Sequence, residues 1–317
     1  MSRPVNRISA RGRGFAHLLA AGLVACMVAA CSTKTQAQGA ATRPTLPMPS
    51  MSAMAGGGDM PDMVMPSTLG PADASGDGTG LSDHVGGYQL VSTTDTVPAG
   101  APSTYAFRIS GPDGKAVTRF QPYESKLTVF YLVRSDLTGF LHVDSTMRED
   151  GTWLVALPAL APGSYRAYVT FAAPDASQGT PFVYVLSHLF TVPGASSPAA
   201  LPAPTTSTVA DGYAVSLSGQ LEAAKSVPLS ISVASGGKPV ESFQRYLDGY
   251  AHLTAFRVGD MAFARILSTG RVTGDGLAGA LTAQALFPEG GTWRLFVQFQ
   301  IGTQVHTAAF TVNVSGS

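Results

Sequence analysis

The sequence predicts an all-β protein in which two antiparallel β-sandwiches follow one another along the chain. One observation is a repeat: the stretch Phe120–Val143 returns without a gap as Phe243–Ile266, at an offset of 123 residues. This interval is too long for a solenoid unit and therefore indicates two copies of one domain. The other observation is the pattern within each copy, where short runs of alternating apolar residues are separated by turns rich in glycine and proline.

The composition bounds the size and the partners of these domains. A chain of 317 residues accommodates two domains, each large enough for its own hydrophobic core. Charged residues make up 13% of the chain, with 20 basic against 20 acidic residues, and they form no cationic stripe that would neutralise phosphates. We therefore expect no nucleic-acid partner. Both cysteines lie in the N-terminal segment, so the predicted sandwiches contain no disulfide.

Residues 1–31 have the layout of a lipoprotein signal peptide. Four arginines precede the apolar run Phe15–Ala30, which is short for a permanent transmembrane helix. The run ends at Cys31 in a sequence that resembles a bacterial lipobox, where the cysteine is acylated and becomes the new N-terminus. Cys26 fits the same pattern but would leave Met27–Ala30 as an apolar mature end, so Cys31 is preferred. An ordinary signal peptide is the alternative.

Acylation of Cys31 predicts where the protein resides. More than one acyl chain gives stable anchoring, whereas a single chain binds a membrane only marginally. We therefore expect a lipid-anchored protein that faces the extracytoplasmic side of the cell membrane, with the membrane as a partner through the N-terminal acyl chains.

Residues 32–83 are predicted to form a disordered tether, because they lack an apolar period and are rich in glycine, proline, serine and threonine. Six of the ten methionines lie in this tether: Met48, Met51, Met54, Met60, Met63 and Met65. Thioether sulfur is a soft ligand that suits Cu(I), and closely spaced methionines supply several sulfurs to one ion. The tether is therefore a candidate site for Cu(I) or Ag(I). The alternative, that methionine is simply tolerated in a linker or contacts a protein, stays open.

Residues 84–194 are predicted to form the first sandwich. Turn sequences such as Gly111–Gly114 separate its candidate strands. These strands are Tyr88–Ser92, Thr104–Ile109, Lys126–Val133, Phe140–Val143, Thr152–Leu157, Gly163–Phe171 and Phe182–Val192. Short strands at this spacing are typical of an antiparallel sandwich of the immunoglobulin-like type.

Residues 195–210, rich in proline and alanine, are expected to form a semi-rigid linker, and residues 211–317 the second sandwich. The candidate strands of this copy are Tyr213–Leu217, Leu229–Val233, Tyr250–Phe256, Met261–Ile266, Leu281–Leu286, Gly291–Phe299 and His306–Val314.

Few residues in either sandwich carry chemistry. His142 and Asp144 lie two positions apart, so strand alternation places them on one face, where they could orient one another or share a metal ion. The alternative is a surface histidine at a strand end, with an aspartate in the following turn. In the second copy Arg265 takes the position of His142, and His252 takes that of Val129. The two copies therefore carry an imidazole at different points of the same scaffold.

A common motif pattern runs through both copies. Its segments in the first copy are Lys126–Leu137, Phe140–Val143, Asp150–Trp153 and Pro162–Arg166, and in the second copy Ala251–Leu253, Arg257, Asp260, Gly291–Arg294 and Phe296–Phe299. This pattern resembles a family of bacterial secreted and lipid-anchored proteins whose domains carry a strand with a His-Val-His-Pro type motif, followed by DGTW and PGxYR. The resemblance covers nearly all of the folded part.

The resemblance implies duplicated immunoglobulin-like domains, related in appearance to those of periplasmic copper-handling proteins, with a heavy-metal site at the His-Val-His-Pro type motif. At that motif the first copy reads His142-Val143-Asp144 and the second copy reads Arg265-Ile266-Leu267. The resemblance therefore implies His142 and Asp144 as ligands in the first sandwich and no such site in the second.

The sequence contains no motif of a catalytic centre: no Gly-x-Ser-x-Gly elbow, no His-Glu-x-x-His and no phosphate-cradling glycine loop. We therefore do not expect an enzyme. Two functions stay open. The first is an extracytoplasmic lipid-anchored protein that binds or buffers Cu(I) or Ag(I) through its Met-rich tether. The second is a cell-envelope module that binds another envelope protein and has no role with metals.

Overall fold

The computed structural model describes residues 79–174, 181–269 and 280–316. Within these ranges all regular secondary structure is β-strand, which confirms the predicted fold class, and no helix there is long and apolar enough to span a membrane. Cys31 and the six tether methionines lie outside the described residues, so their roles stay predictions. Both sandwiches belong to one compact unit of the chain.

The first sandwich contains nine strands in its described residues. They are β1 (His84–Val85), β2 (Tyr88–Ser92), β3 (Ser103–Ser110), β4 (Val129–Arg134), β5 (Leu141–Val143), β6 (Ser145–Met147), β7 (Trp153–Leu157), β8 (Gly163–Pro174) and β9 (Pro181–Val192). One sheet has the order β1-β2-β3-β7-β6 and the other has the order β5-β4-β8-β9. With β2, β3, β7 and β6 taken as strands A, B, E and D, and β4, β8 and β9 as C, F and G, this is the immunoglobulin-like arrangement.

The described part of the second sandwich repeats this arrangement with one change. Its strands are β10 (Ser207–Ala210), β11 (Tyr213–Ser218), β12 (Ser226–Ser235), β13 (Lys238–Pro239), β14 (Ala251–Arg257), β15 (Phe263–Ser268), β16 (Leu281–Leu286), β17 (Gly291–Ile301) and β18 (Gln304–Val314). Strand β15 pairs with β14 at one end and with β16 at the other, which joins the two halves into a continuous sheet. The first copy breaks the equivalent strand at Asp144, between β5 and β6.

Each sandwich has its own apolar core, and in each an aromatic side chain at the start of the F strand bonds to a carbonyl oxygen four residues earlier. Alternate residues of the strands point inward, among them Tyr105 and Phe107 of β3, which are fully buried. At the start of β8, Tyr165 Oη donates a hydrogen bond to the carbonyl oxygen of Ala161 (2.9 Å), as in the tyrosine corner of immunoglobulin-like domains. In the second copy Trp293 Nε1 donates to the carbonyl oxygen of Glu289 (3.2 Å) in the corresponding place.

The strand predictions hold, with shifts at the ends. The largest shifts are three residues, at the starts of β4 and β12 and at the end of β8. At β4 the strand begins late because Lys126 lies in a tight turn in which its backbone pairs with that of Tyr123. Four short strands, β1, β6, β10 and β13, escaped prediction; they have two to four residues each and too little alternation to be recognised.

The packed structure includes parts of two segments that the sequence predicts to be linker and tether. Strand β10, within the span given to the linker, pairs along its whole length with β11. At the end of the span given to the tether, Thr79 and Gly80 are buried, and the backbone N–H of Phe263 donates to the carbonyl oxygen of Thr79 (2.6 Å). Residues 79–83 therefore pack against the sandwiches.

An arginine–aspartate pair braces the turn after the C strand in each copy. Arg134 Nη1 lies 2.9 Å from Asp136 Oδ2 in the first sandwich, and Arg257 pairs with Asp260 in the second. Asp136 also accepts the backbone N–H of Ala199 (2.9 Å), which attaches the linker to the first sandwich. These repeated residues therefore serve as scaffold.

The two sandwiches pack together through a third apolar core, which we call the interdomain core. Phe140 stacks on Phe296 with ring centroids 4.2 Å apart, and Phe256 contacts Tyr168 at 4.9 Å. Its buried members come from both copies: Tyr123, Val129, Tyr131, Val133, Leu137, Tyr168, Ala172, Val183, Val185, Phe256, Met261, Phe263 and Phe296. The C–F face of each sandwich is thereby covered by the other.

Candidate functional site

The interdomain core contains a cluster of polar and aromatic side chains, which we call the interdomain cluster. Its centre is formed by Tyr131 on β4, His142 on β5 and His252 on β14. The two imidazole rings lie 5.1 Å apart between centroids, and the Tyr131 ring lies 5.0 Å from His142 and 5.7 Å from His252. The histidines that the two copies carry at different positions therefore meet in one place.

His252 has a polar neighbour on each side of its ring. Tyr131 Oη lies 2.8 Å from Nε2, and Glu124 Oε2 lies 3.3 Å from Nδ1. Tyr131 is 1% exposed and His252 is 6% exposed, so the contact between the Tyr131 hydroxyl and His252 is shielded from water. A neutral imidazole that accepts from Tyr131 and carries its hydrogen on Nδ1 fits these contacts.

Glu124 extends this series of polar contacts to Arg265 of the second sandwich, through Tyr123. Its Oε1 accepts a hydrogen bond from Tyr123 Oη (2.7 Å), and Arg265 Nη1 donates to the same tyrosine oxygen. The Arg265 guanidinium also lies over the Tyr123 ring, 5.1 Å from the centroid. The other carboxylate oxygen, Oε2, is buried and makes no hydrogen bond of good geometry, despite its nearness to His252.

His142 makes the contact that corresponds, through the repeat, to the contact of Arg265 with Tyr123. Its Nδ1 lies 2.8 Å from Gln298 Oε1 and 3.0 Å from Tyr246 Oη. Gln298 Nε2 donates to Thr307 (3.2 Å), which turns its oxygen toward His142. Arg265 binds Tyr123 as His142 binds Tyr246, and both pairs are related by the repeat. The interface is therefore isologous, like that of a symmetric homodimer.

Burial sets the protonation of this cluster. Desolvation, together with the neighbouring His252, lowers the pKa of His142 to about 4, and desolvation lowers the pKa of His252 to about 3. Desolvation raises the pKa of Glu124 and raises that of Tyr246 to about 12. Both histidines are therefore neutral at neutral pH, because the interface disfavours charge.

The predicted pair His142 and Asp144 is directed to different neighbours. Asp144 is exposed and its Oδ1 lies 2.9 Å from Lys126 Nζ, whereas His142 turns into the interface. The strand ends at Val143, so the alternation that the prediction assumed does not continue to Asp144. No group of three His, Cys, Asp or Glu side chains suited to a metal ion occurs in the described part of the chain.

A cavity of about 250 Å³ opens beside the cluster, between the two sandwiches. Its polar lining includes Glu124, Asp248 and His252. Its remaining lining is Pro122, Tyr123, Tyr246, Leu247, Gly249, Ala251, Ile266, Leu267 and Ser268. Ligand sites occur preferentially at such interfaces between domains, where apolar walls surround a few polar groups.

The backbone at Glu124 is unusual. Glu124 and Ser125 have φ values of 51° and 60°, and Tyr123 and Lys126 exchange backbone hydrogen bonds across them. A two-residue turn of this kind favours Asn-Gly, since other residues are strained at positive φ. The turn directs Glu124 into the interface and leaves Ser125 to donate to Asp248 of the second sandwich.

The chain Tyr131–His252–Glu124 has the order hydroxyl, imidazole, carboxylate that hydrolases use to activate a nucleophile. Tyr131 lies fully inside the interface and does not line the cavity. A substrate atom therefore has no access to its hydroxyl. The geometry supports a structural role for Tyr131, which holds the two sandwiches together through its bond to His252, and a binding role for Glu124, which lines the cavity.

Sequence reasoning identified His142 and His252 but missed their partners. Tyr123 and Tyr246 were recognised only as repeated residues. Glu124 gave no signal, because its turn lacks the usual glycine or asparagine. One usable signal was present: His142 and Arg265 are polar at equivalent positions of otherwise apolar strands, as expected if each faces the other copy.

Residues 207–316, which comprise the second sandwich and β10, match a family described as a domain of unknown function (DUF8832). No curated protein matches the chain. Among solved structures the chain is similar to FdeC, an Escherichia coli adhesin, with 15% identity, 73% of this chain and 64% of that chain covered, and a TM-score of 0.24.

Two further similar structures are the Yersinia pseudotuberculosis adhesin InvE (11% identity, 72% of this chain and 59% of that chain, TM-score 0.22) and domains 4 and 5 of the S-layer protein SbsC (12% identity, 72% of this chain and 98% of that chain, TM-score 0.22). The chain spans less than two thirds of the length of the two adhesin structures. At these scores we base no functional argument on the likeness.

Proposed function

We propose that this chain is an extracytoplasmic, lipid-anchored binding protein whose paired sandwiches contact another protein of the cell envelope. The signal-type N-terminus and Cys31 support the location, and the Met-rich tether would let the sandwiches reach away from the membrane. The observation that carries the binding role is an uncharged outer face on the second sandwich.

This face, which we call the serine face, is formed by β10, β11, β12 and β16. None of these four strands contains a charged residue. Their register places short hydroxyl side chains next to one another across the sheet: Ser207 beside Ser216, Ser216 beside Ser232, and Ser230 beside Thr282. At its edge Val209 is 71% exposed.

A partner can cover this face without burying a charged side chain. Charged side chains are depleted at the centres of protein interfaces, because their desolvation is costly. Serine and threonine lose little rotamer entropy when covered, unlike lysine or glutamate. A paired sheet also holds its side chains in place before a partner arrives, which limits the cost of association.

Position-specific photo-crosslinking in intact cells tests this proposal. A photoreactive residue at Ser232, on the serine face, is expected to give a discrete adduct with one envelope protein. The same residue at Thr104, exposed on the outer face of the first sandwich, serves as the control and should give none. Ser216→Glu, which places a charge beside Ser232, is expected to remove the adduct. Equal adduct patterns at both positions would contradict the proposal.

The Met-rich tether supports a second proposed function, the binding or buffering of Cu(I) or Ag(I). Six methionines lie within residues 48–65, and thioethers suit these soft ions. Titration of the full chain with Cu(I) against a colourimetric competitor is expected to show binding that a variant with all six methionines changed to leucine loses. Met147 and Met261, which lie in the sandwiches, remain in that variant as internal controls. Binding that survives the six changes would exclude the tether as the site.

A further inference from the structure

The cavity beside Glu124 combines acidic groups from both sandwiches with apolar walls. Glu124 belongs to the turn of the first copy and Asp248 to the equivalent turn of the second copy, and both line the cavity. Ile266, Leu267 and Leu247 supply aliphatic surface, and Tyr246 supplies an aromatic ring. We propose that this cavity binds an alkylammonium or alkylguanidinium group, with Glu124 as its ion-pairing partner.

Glu124 accepts a hydrogen bond from Tyr123 at Oε1, but its other carboxylate oxygen is left without one. Its Oε2 is buried without a hydrogen bond, which costs desolvation free energy. Such residues occur where binding or catalysis requires them. The repeat shows that the fold itself does not require a carboxylate, because Leu247 occupies the same place in the second copy.

The surroundings of Glu124 favour a cation. Burial raises the pKa of Glu124 most and the carboxylate of Asp248 adds a smaller increase, while the Tyr123 hydrogen bond and the Arg265 charge lower it. A positive charge between the two carboxylates would further favour the ionised form of Glu124. Arg265 does not fill this role, since its guanidinium lies on the Tyr123 ring and bonds to the tyrosine oxygen. Glu124 already lines the cavity, and the broad terminal torsion of a glutamate allows its carboxylate to reorient toward a bound cation.

An organic cation fits the cavity better than a metal ion. The described residues around it offer no group of three metal-ligating side chains. The aliphatic and aromatic walls instead match a methylene stem that ends in a charged head, as in lysine or arginine. The volume of about 250 Å³ suits one side chain or a small amine rather than a large ligand.

Ligand-observed NMR titration of the full chain tests this inference with three probes of similar shape. They are n-butylammonium, N-acetyl-lysine methylamide and its neutral isostere, the N-acetyl methylamide of 2-aminoheptanoic acid. We expect one or both cationic probes to bind at least about tenfold more tightly than the neutral one. Binding of butylammonium alone would indicate a free amine as the natural ligand, and binding of the lysine probe alone would indicate a side chain of a partner.

Glu124→Gln is expected to weaken binding of the cationic probe about tenfold or more, whereas Glu241→Gln, the same change at an exposed site outside the cavity, should leave it unchanged. Loss of folding would not confuse the result. The Tm of the glutamine variant, measured beside the titration, shows whether it is folded, and its carboxamide oxygen can still accept the hydrogen bond from Tyr123.

Equal binding of the neutral isostere, or full binding by Glu124→Gln, would overturn the inference. The inference stands apart from the proposed partner binding at the serine face, because the probes are titrated into the protein alone. A failed crosslink at Ser232 with retained amine binding would remove the proposed function and leave the cavity assignment intact.

Discussion

Lowering the pH from 7.5 to 5.0 is expected to destabilise the protein by about 4 kcal/mol through His142 and His252 alone. Burial lowers their folded-state pKa values to about 4 and about 3, below the ordinary value of 6.5. A group with a lowered folded pKa binds its proton more readily when unfolded. Stability is therefore complete above pH 6.5 and falls as the pH drops from 6.5 toward the folded-state values, by about 2 kcal/mol for each histidine at pH 5.0.

The location of the two histidines makes this a property of the interface. Protonation would place two positive charges on rings whose centroids lie 5.1 Å apart, inside the interdomain core. Glu124 acts in the opposite sense, because its raised pKa lets it take up a proton and lose its charge as the pH falls. The histidine contribution must therefore be isolated by substitution rather than read from the parent protein alone.

Urea unfolding of the parent and of His252→Gln at pH 7.5 and 5.0 isolates the contribution of His252 to the pH dependence of stability. The glutamine keeps an acceptor for Tyr131 and does not titrate, so the variant should lose about 2 kcal/mol less than the parent between the two pH values. His84→Gln is the matched control, since its side chain is 76% exposed. An equal pH dependence in the parent and in His252→Gln would show that His252 is not buried as described.

The fold could be predicted because the apolar alternation of most strands is visible within a few consecutive residues of the sequence. Alternation along β3 and β7 and along their repeats β12 and β16, with turns between them, indicates strands from the sequence alone. Interruptions such as the break at Asp144 depend on which sheet a strand joins, and this depends on contacts distant in sequence. The same limit applies to β10, which has only four residues and is recognisable as a strand only through its pairing with β11.

The interdomain cluster could not be predicted from either copy alone. The sequence places His142 and His252 on nonequivalent positions of two repeats, which suggests one site at most in each copy. Packing of the two C–F faces about a pseudo-twofold axis instead brings both histidines to one centre. Residues shared by the copies, such as Tyr123 and Tyr246, become partners of residues that differ, His142 and Arg265. The site is thus a product of the duplication.

The pseudo-symmetric interface joins the two sandwiches through the interdomain core, and Phe256→Ala is expected to open it. Phe256 is fully buried in the interdomain core, with ring centroids 4.9 Å from Tyr168, 5.8 Å from Phe263 and 6.1 Å from Phe296. Removing a buried phenylalanine side chain costs about 3–5 kcal/mol. We expect the parent to unfold as one unit and the variant to unfold in two separate transitions by calorimetry.

A matched control separates loss of the interface from loss of a domain. Phe310 is equally buried but belongs to the core of the second sandwich, so Phe310→Ala should destabilise that sandwich by a similar amount. In the control the interdomain core remains complete, so the radius of gyration of the folded protein should stay at the parent value. In Phe256→Ala it should increase, because freed domains joined by a linker sample more extended arrangements. A compact Phe256→Ala variant with a single transition would mean that the linker and the remaining apolar contacts hold the sandwiches together without this ring.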